Sequence, residues 1–203
     1  MIAESFSRNR ERQTTQGEPH VSNDATNAII TTINLYALAV DTQQWDLFDD
    51  VFTPDAVVDF GGGTRWTDLS TLTTAFAKIH TPYLATCHTT TNHVVTATAE
   101  HAHCLSYVHG RFFADQPEGS IFESGGWYDD RLTCTPQGWR ISHRTCRTIW
   151  SAGNPKVMGL DAEPAPPRAT NSLHRAAANN KLAILSALRG GGQGSTPPHE
   201  SPQ

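Results

Sequence analysis

No stretch of this sequence is apolar for long enough to cross a bilayer as a helix. Nor is there the surplus of basic residues that a nucleic-acid backbone or an anionic membrane surface demands: 15 Lys and Arg stand against 20 Asp and Glu, a formal net charge of -5. The first twenty residues lack the apolar centre of a secretory signal, so a cytoplasmic location is expected. A P-loop, a dinucleotide fingerprint and a nucleophile elbow are all missing. Cysteine is sparse. Cys87, Cys104, Cys134 and Cys146 fit no zinc spacing and each falls in a predicted strand, which implies buried free thiols; a Cys134–Cys146 bridge across a hairpin is the alternative. Apolar residues are few as well, at 37% with a mean hydropathy of -0.43, which points to polar extensions around a smaller folded unit.

What is present is ordered helices first, strands after. Ile29, Ile33, Tyr36 and Val40 recur at the spacing of one buried helix face, after N-cap choices at Ser22, Asn23 and Asp24. The helix is predicted to end near Val40, with Asp41 at its edge. A short second helix carries Trp45, Phe48 and Val51 or Phe52 and stops at Thr53-Pro54. A strand over 56–60 and three glycines follow, then a third helix from Trp66 to about Ile79. Beyond residue 85 the period switches to two. Strands are predicted over 87–96, 104–113, 121–134 and 139–149, with a bend or bulge at Gly125-Gly126 and a hairpin turn at Pro136-Gln137-Gly138. This is the α+β pattern. Three regions result: a disordered tail over 1–21, a folded domain over 22–152, and a Pro/Gly-rich extension over 153–203. One helix is expected in that extension, over 173–188, with Leu182, Leu185 and Leu188 on one side.

Two residues could carry chemistry together. Strand alternation puts His88, Thr90, Asn92 and Val94 on one face; if that face looks toward the helices, His88 meets Asp41. A carboxylate that accepts from one imidazole nitrogen fixes the tautomer and raises the basicity of the other. Such a pair moves protons without a metal or organic cofactor, and none is expected here. Tyr107 and His109 share a strand face and are candidates to line a pocket. Arg144 points inward only if a bulge interrupts the alternation that runs through Trp139 and Ile141. His101 and His103 are placed in a turn.

The segment from Tyr36 to Asp41, with Trp45, Phe52 and Asp55-Ala-Val-Val-Asp59, resembles the SnoaL-like branch of the NTF2-like superfamily. So do His88-x-x-x-Asn92-His-Val-Val, Ser106-Tyr107, Gly126-Trp-Tyr128-Asp-Asp and Gly138-Trp-Arg-Ile141-x-x-Arg144. The resemblance implies a cone-shaped barrel, a curved antiparallel sheet wrapped around N-terminal helices, with a deep apolar pocket inside. Within the branch the chain is most similar to the scytalone dehydratase and hexachlorocyclohexane dehydrochlorinase group. Asp41 and His88 fall on that group's catalytic positions, and Arg144 on a pocket arginine. Tyr36 stands where the dehydrochlorinase has a lysine. The second histidine of scytalone dehydratase falls near Phe113, leaving His109 as the nearest substitute. The implied activity is a cofactor-independent lyase or isomerase acting on an apolar cyclic compound, with Tyr36, Tyr107, Tyr128 or Arg144 as proton or hydrogen-bond donors. A polyketide-type cyclase, a ligand-binding module and an assembly subunit are the alternatives. Relatives also imply a homodimer or homotrimer.

Overall fold

The computed structural model describes residues 22–161 and 166–190. The expected N-terminal tail, the glycine-rich end and part of the Pro/Ala-rich segment lie outside the described residues. Helix α1 spans Asn23–Thr42; Ser22 caps it by accepting the Ala25 N–H at 3.2 Å, and Gln43 ends it in the left-handed region. It runs two residues past the expected end, so Asp41 lies within its last turn. A 3-10 turn and the short α2 (Phe48–Val51) lead into β1 (Phe52–Gly61). β1 begins four residues before the predicted strand. Pro54 is tolerated because the pairing with β6 slips between Phe52 and Val57, where no donor is required of it.

Trp66 does not open α3. Gly61, Gly62 and Gly63 all have positive φ and turn the chain back, so that residues Thr64–Trp66 form a strand, β2, against β1. Asp68 then caps α3 (Leu69–His80), accepting the Thr71 N–H at 2.8 Å. Four long strands follow: β3 (Ala85–Ala97), β4 (His101–Phe113), β5 (Ile121–Thr135) and β6 (Gly138–Gly153). His101 and His103 thus belong to a strand rather than a turn, because the β3–β4 ladder continues to the Ala97–Ala102 pair.

The six strands form one curved, unclosed sheet in the order β2-β1-β6-β5-β4-β3. All neighbours are antiparallel except β1 and β6, which are parallel. The α+β cone expected from the sequence is therefore present, with one parallel pair and two free edges. Its concave face and the helices bury Ile29, Ile33, Val40, Phe48, Phe52 and Ile141, each 0–1% exposed. Each such side chain contributes about 1.5–3 kcal/mol. Of the four free cysteines, Cys104 and Cys146 are buried but Cys87 and Cys134 are exposed, since alternation turns them outward. Cys134 pairs with Trp139 and Cys146 with Tyr128, so the hairpin bridge does not form.

The extension packs on the convex face. The single expected helix is two: α4 (Leu173–Ala178) and α5 (Ala183–Gly190). Asn180, at φ 53, breaks them. Leu182 and Ile184 are buried beside Ala176 and Trp127, while Leu188 stays exposed. The Trp127 indole N–H donates to the Asn171 carbonyl at 2.8 Å. Asp129, projecting from β5, accepts the N–H groups of Ala183 and Ile184.

Burial pushes Asp129 up to about 6, against those two donors. Between its ordinary value of 3.8 and about 6 the folded chain therefore keeps a proton that the unfolded chain has lost. Stability falls with rising pH across that window, by up to about 3 kcal/mol, and is flat above it. Scanning calorimetry from pH 4 to 7 should show a steeper decline for wild type than for Asp129→Asn; parallel curves would contradict the assignment.

Candidate active site

Asp41 sits at the C-terminal end of α1, where the helix dipole disfavours a negative charge. Three donors from β3 offset that. The His88 ring donates from Nδ1 to Oδ1 at 2.6 Å, the His88 backbone N–H to Oδ2 at 2.7 Å, and the Thr86 hydroxyl to Oδ1 at 2.8 Å. β3 is an edge strand, so this backbone N–H points away from β4 and is available. Two turns earlier on α1, Asn34 accepts the Thr90 hydroxyl at 2.6 Å and extends the polar seam. Burial raises the Asp41 pKa, but the bonds from His88 and Thr86 outweigh it and hold the carboxyl below its usual value. Because a carboxylate only accepts, Nδ1 carries a proton, so the tautomer this contact selects leaves Nε2 as the nitrogen with the free lone pair. The His88 side chain is 8% exposed and that of Asp41 23%, which places the pair at the rim of the concave interior.

Gly110 clears the space before Nε2. A Cβ there would stand 3.2 Å from Nε2 and 3.1 Å from the Phe112 ring. Phe112 packs edge-on to His88, and Tyr83, His80, Phe76 and Trp45 continue the aromatic wall. His80 escaped the sequence reading, although its place four residues after Phe76 on an amphipathic helix was a visible signal. Its Nδ1 donates to the Phe76 carbonyl at 2.8 Å. Burial, and then the neighbouring His88, depress its pKa, against the pull of the Phe76 carbonyl and Asp41. His80 is thus a neutral second histidine beside the pair.

Arg144 does turn inward, by the bulge it needed. The β5–β6 register slips between Arg131 and Leu132, Ser142 is the extra residue, and its hydroxyl donates to the Arg131 carbonyl. A second slip falls at Gly125-Gly126, as expected. Arg144 forms a two-pronged ion pair with Asp130, both bonds 2.8 Å and both side chains 0% exposed. The guanidinium lies over both the Tyr36 and Tyr128 rings, 4.2 and 4.1 Å from their centroids, in the corner that these two perpendicular rings make. Burial raises the pKa of both tyrosines, so their hydroxyls stay protonated. Three polar atoms of this face are buried without a partner: Arg144 Nη1, Ser106 Oγ and His93 Nε2.

Two candidates are on the wrong side. His88 pairs with Gly110 and Thr90 with Val108, so the intervening Tyr107 and His109 face the convex surface. Tyr107 is 41% exposed there. His109 packs on Trp150, 5.3 Å between centroids, and cannot replace a second histidine. The face assigned to β3 also holds only as far as Thr90: a bulge at Asn92, φ 54, reverses the alternation, leaving Val94 exposed and Val95 inward.

A sheet cone around helices, with an Asp–His contact at its rim, defines the class, and the family profile agrees. The chain belongs to the SnoaL-like domain family, whose profile matches residues 22–145. Among solved structures it is similar to the Kfla4162 protein of Kribbella flavida, with 24% identity over 68% of this chain and 98% of that one, TM-score 0.64. A candidate scytalone dehydratase from Novosphingobium aromaticivorans has 18% identity over 71% and 93%, TM-score 0.60. A hexachlorocyclohexane dehydrochlorinase, LinA type 2, has 15% identity over 71% and 95%, TM-score 0.58. At these identities the likeness is one of fold. No curated protein matches the sequence.

Proposed function

We propose that the protein is a cofactor-independent lyase or isomerase in which His88, held by Asp41, is the general base. The 2.6 Å contact from Nδ1 to a carboxylate that two further donors hold in place carries this reading. It leaves Nε2 to take a proton from carbon, beside the space that Gly110 leaves open. Tyr36 and Tyr128 are protonated donors for a carbonyl oxygen or a departing group, and the unspent N–H of Arg144 is a third. The aromatic wall suits a neutral, mostly apolar ring compound. Dehydration or double-bond migration uses these parts directly, and ring closure uses the same base.

One observation favours a second reading, a binding module in which the pair is structural. A larger cavity lies on the convex face and a smaller one beside Phe122, Ser124 and Met158, and neither is lined by Asp41 or His88. Proton exchange separates the two. In D2O, wild type should exchange the α-protons of cyclic ketones such as cyclohexenones and tetralones, and His88→Gln should slow that exchange by about 10²–10⁴-fold. Equal rates for the two proteins across the panel would leave only the binding module.

A further inference from the structure

The larger cavity, about 850 Å³, lies between the convex face of the sheet and the α4–α5 extension. Its volume is that of a small-molecule site. Beside Arg144, which Asp130 already pairs, Arg65 of β2, Arg131 of β5, Arg147 of β6, Arg175 of α4 and Lys181 after it bring five more positive charges to its lining. Only Asp59 and Asp129 oppose them, and both are occupied. Asp59 receives Arg147 at 2.8 Å and the Gly61 N–H at 2.7 Å. Asp129 receives the first N–H groups of α5. Among the described residues, none of Arg65, Arg131, Arg175 and Lys181 makes an ion pair. Four unpaired cations drawn from four places in the chain converge on one hollow, in a protein whose net charge is -5.

Two further facts fit an anion there. His103 lines the cavity, and its Nδ1 is buried without a hydrogen-bond partner. His143, also in the lining, has its pKa lowered by burial and then by Arg131 and Arg65, against Asp55. Val57, Leu182 and Ala187 add an apolar part to the wall.

We propose that this convex-face cavity binds a small organic molecule bearing a phosphate group, with Arg131 and Arg175 holding the phosphate and the apolar wall its body. Guanidinium pairs with phosphate in a two-pronged geometry that an ammonium cannot match. The site is separate from Asp41 and His88, which lie on the opposite face of the sheet.

Titration calorimetry of the full chain at low salt tests it, with inorganic phosphate and phenyl phosphate as probes. Wild type should bind both saturably, phenyl phosphate more tightly. Arg131→Gln/Arg175→Gln should weaken both at least about tenfold. His88→Gln should bind as wild type does. Arg111→Gln removes a cation already paired with Glu123 and should change nothing. No saturable binding by wild type, equal affinity for the two probes, or an equal loss in Arg111→Gln would each overturn the proposal.

Discussion

Asp130→Ala should cost about 3–5 kcal/mol of folding stability, because it strands the Arg144 guanidinium in a fully buried site without its counter-charge. For a chain of this size that is a fall of roughly 6–20 °C in melting temperature. The two perpendicular tyrosine rings that border the cation, worth about 2 kcal/mol, are in place in wild type as well and supply no negative charge to replace the carboxylate. The matching double variant, Asp130→Leu with Arg144→Met, should lie close to wild type or above it, since removing both charges removes the desolvation cost with the attraction. Urea unfolding of the three proteins reads the contrast. A single variant as stable as wild type would mean that the pair is not closed as described.

Asp41→Asn should leave the fold in place and lower turnover by about 10²–10⁴-fold, with little change in KM. Asparagine keeps one carbonyl oxygen but puts an N–H₂ in place of either Oδ1, which accepts from the ring and Thr86, or Oδ2, which accepts from the His88 backbone. Either the His88 backbone N–H or the ring N–H then loses its acceptor. If the ring loses, the proton shifts to Nε2 and the base is gone. Nitrogen NMR of labelled histidine reads this without any substrate: wild type should show Nδ1–H, and the variant should show Nε2–H. An unchanged tautomer together with unchanged turnover would remove Asp41 from the mechanism.

Much of this arrangement could be read from the residues. A helix with Ile29, Ile33, Tyr36 and Val40 on one side can present Asp41 only near its end, and a strand starting near residue 85 can offer His88 only to one face. Those two local periods bring the pair together only if that strand face looks toward the helices, and it was the family resemblance that put both residues on catalytic positions. Arg144 shows where local reading stops: its direction depends on whether Ser142 is skipped by the ladder, and only the match of whole strands decides that. Tyr107 and His109 do share a face, but sharing one says nothing of which face it is. Their partners on β3 and β5 settle it. His80 was overlooked because its meaning comes from Phe112 and His88, more than thirty and eight residues ahead of it. The cationic hollow was illegible for a stronger reason. Arg65 and Arg175 belong to distant segments, and nothing in either segment announces that the extension folds back over the sheet.

The open margin of the sheet at β3 has a consequence for self-association. Unpaired strand edges recruit further strands, from another copy of the chain or from an aggregating one. At His88 the outward amide is already taken by Asp41. A newcomer zipping along β3 would have to prise that amide away and, with it, the grip on the imidazole. Strand addition through this edge and the Asp41–His88 contact are therefore mutually exclusive, and one carboxylate both steadies the imidazole and guards the margin.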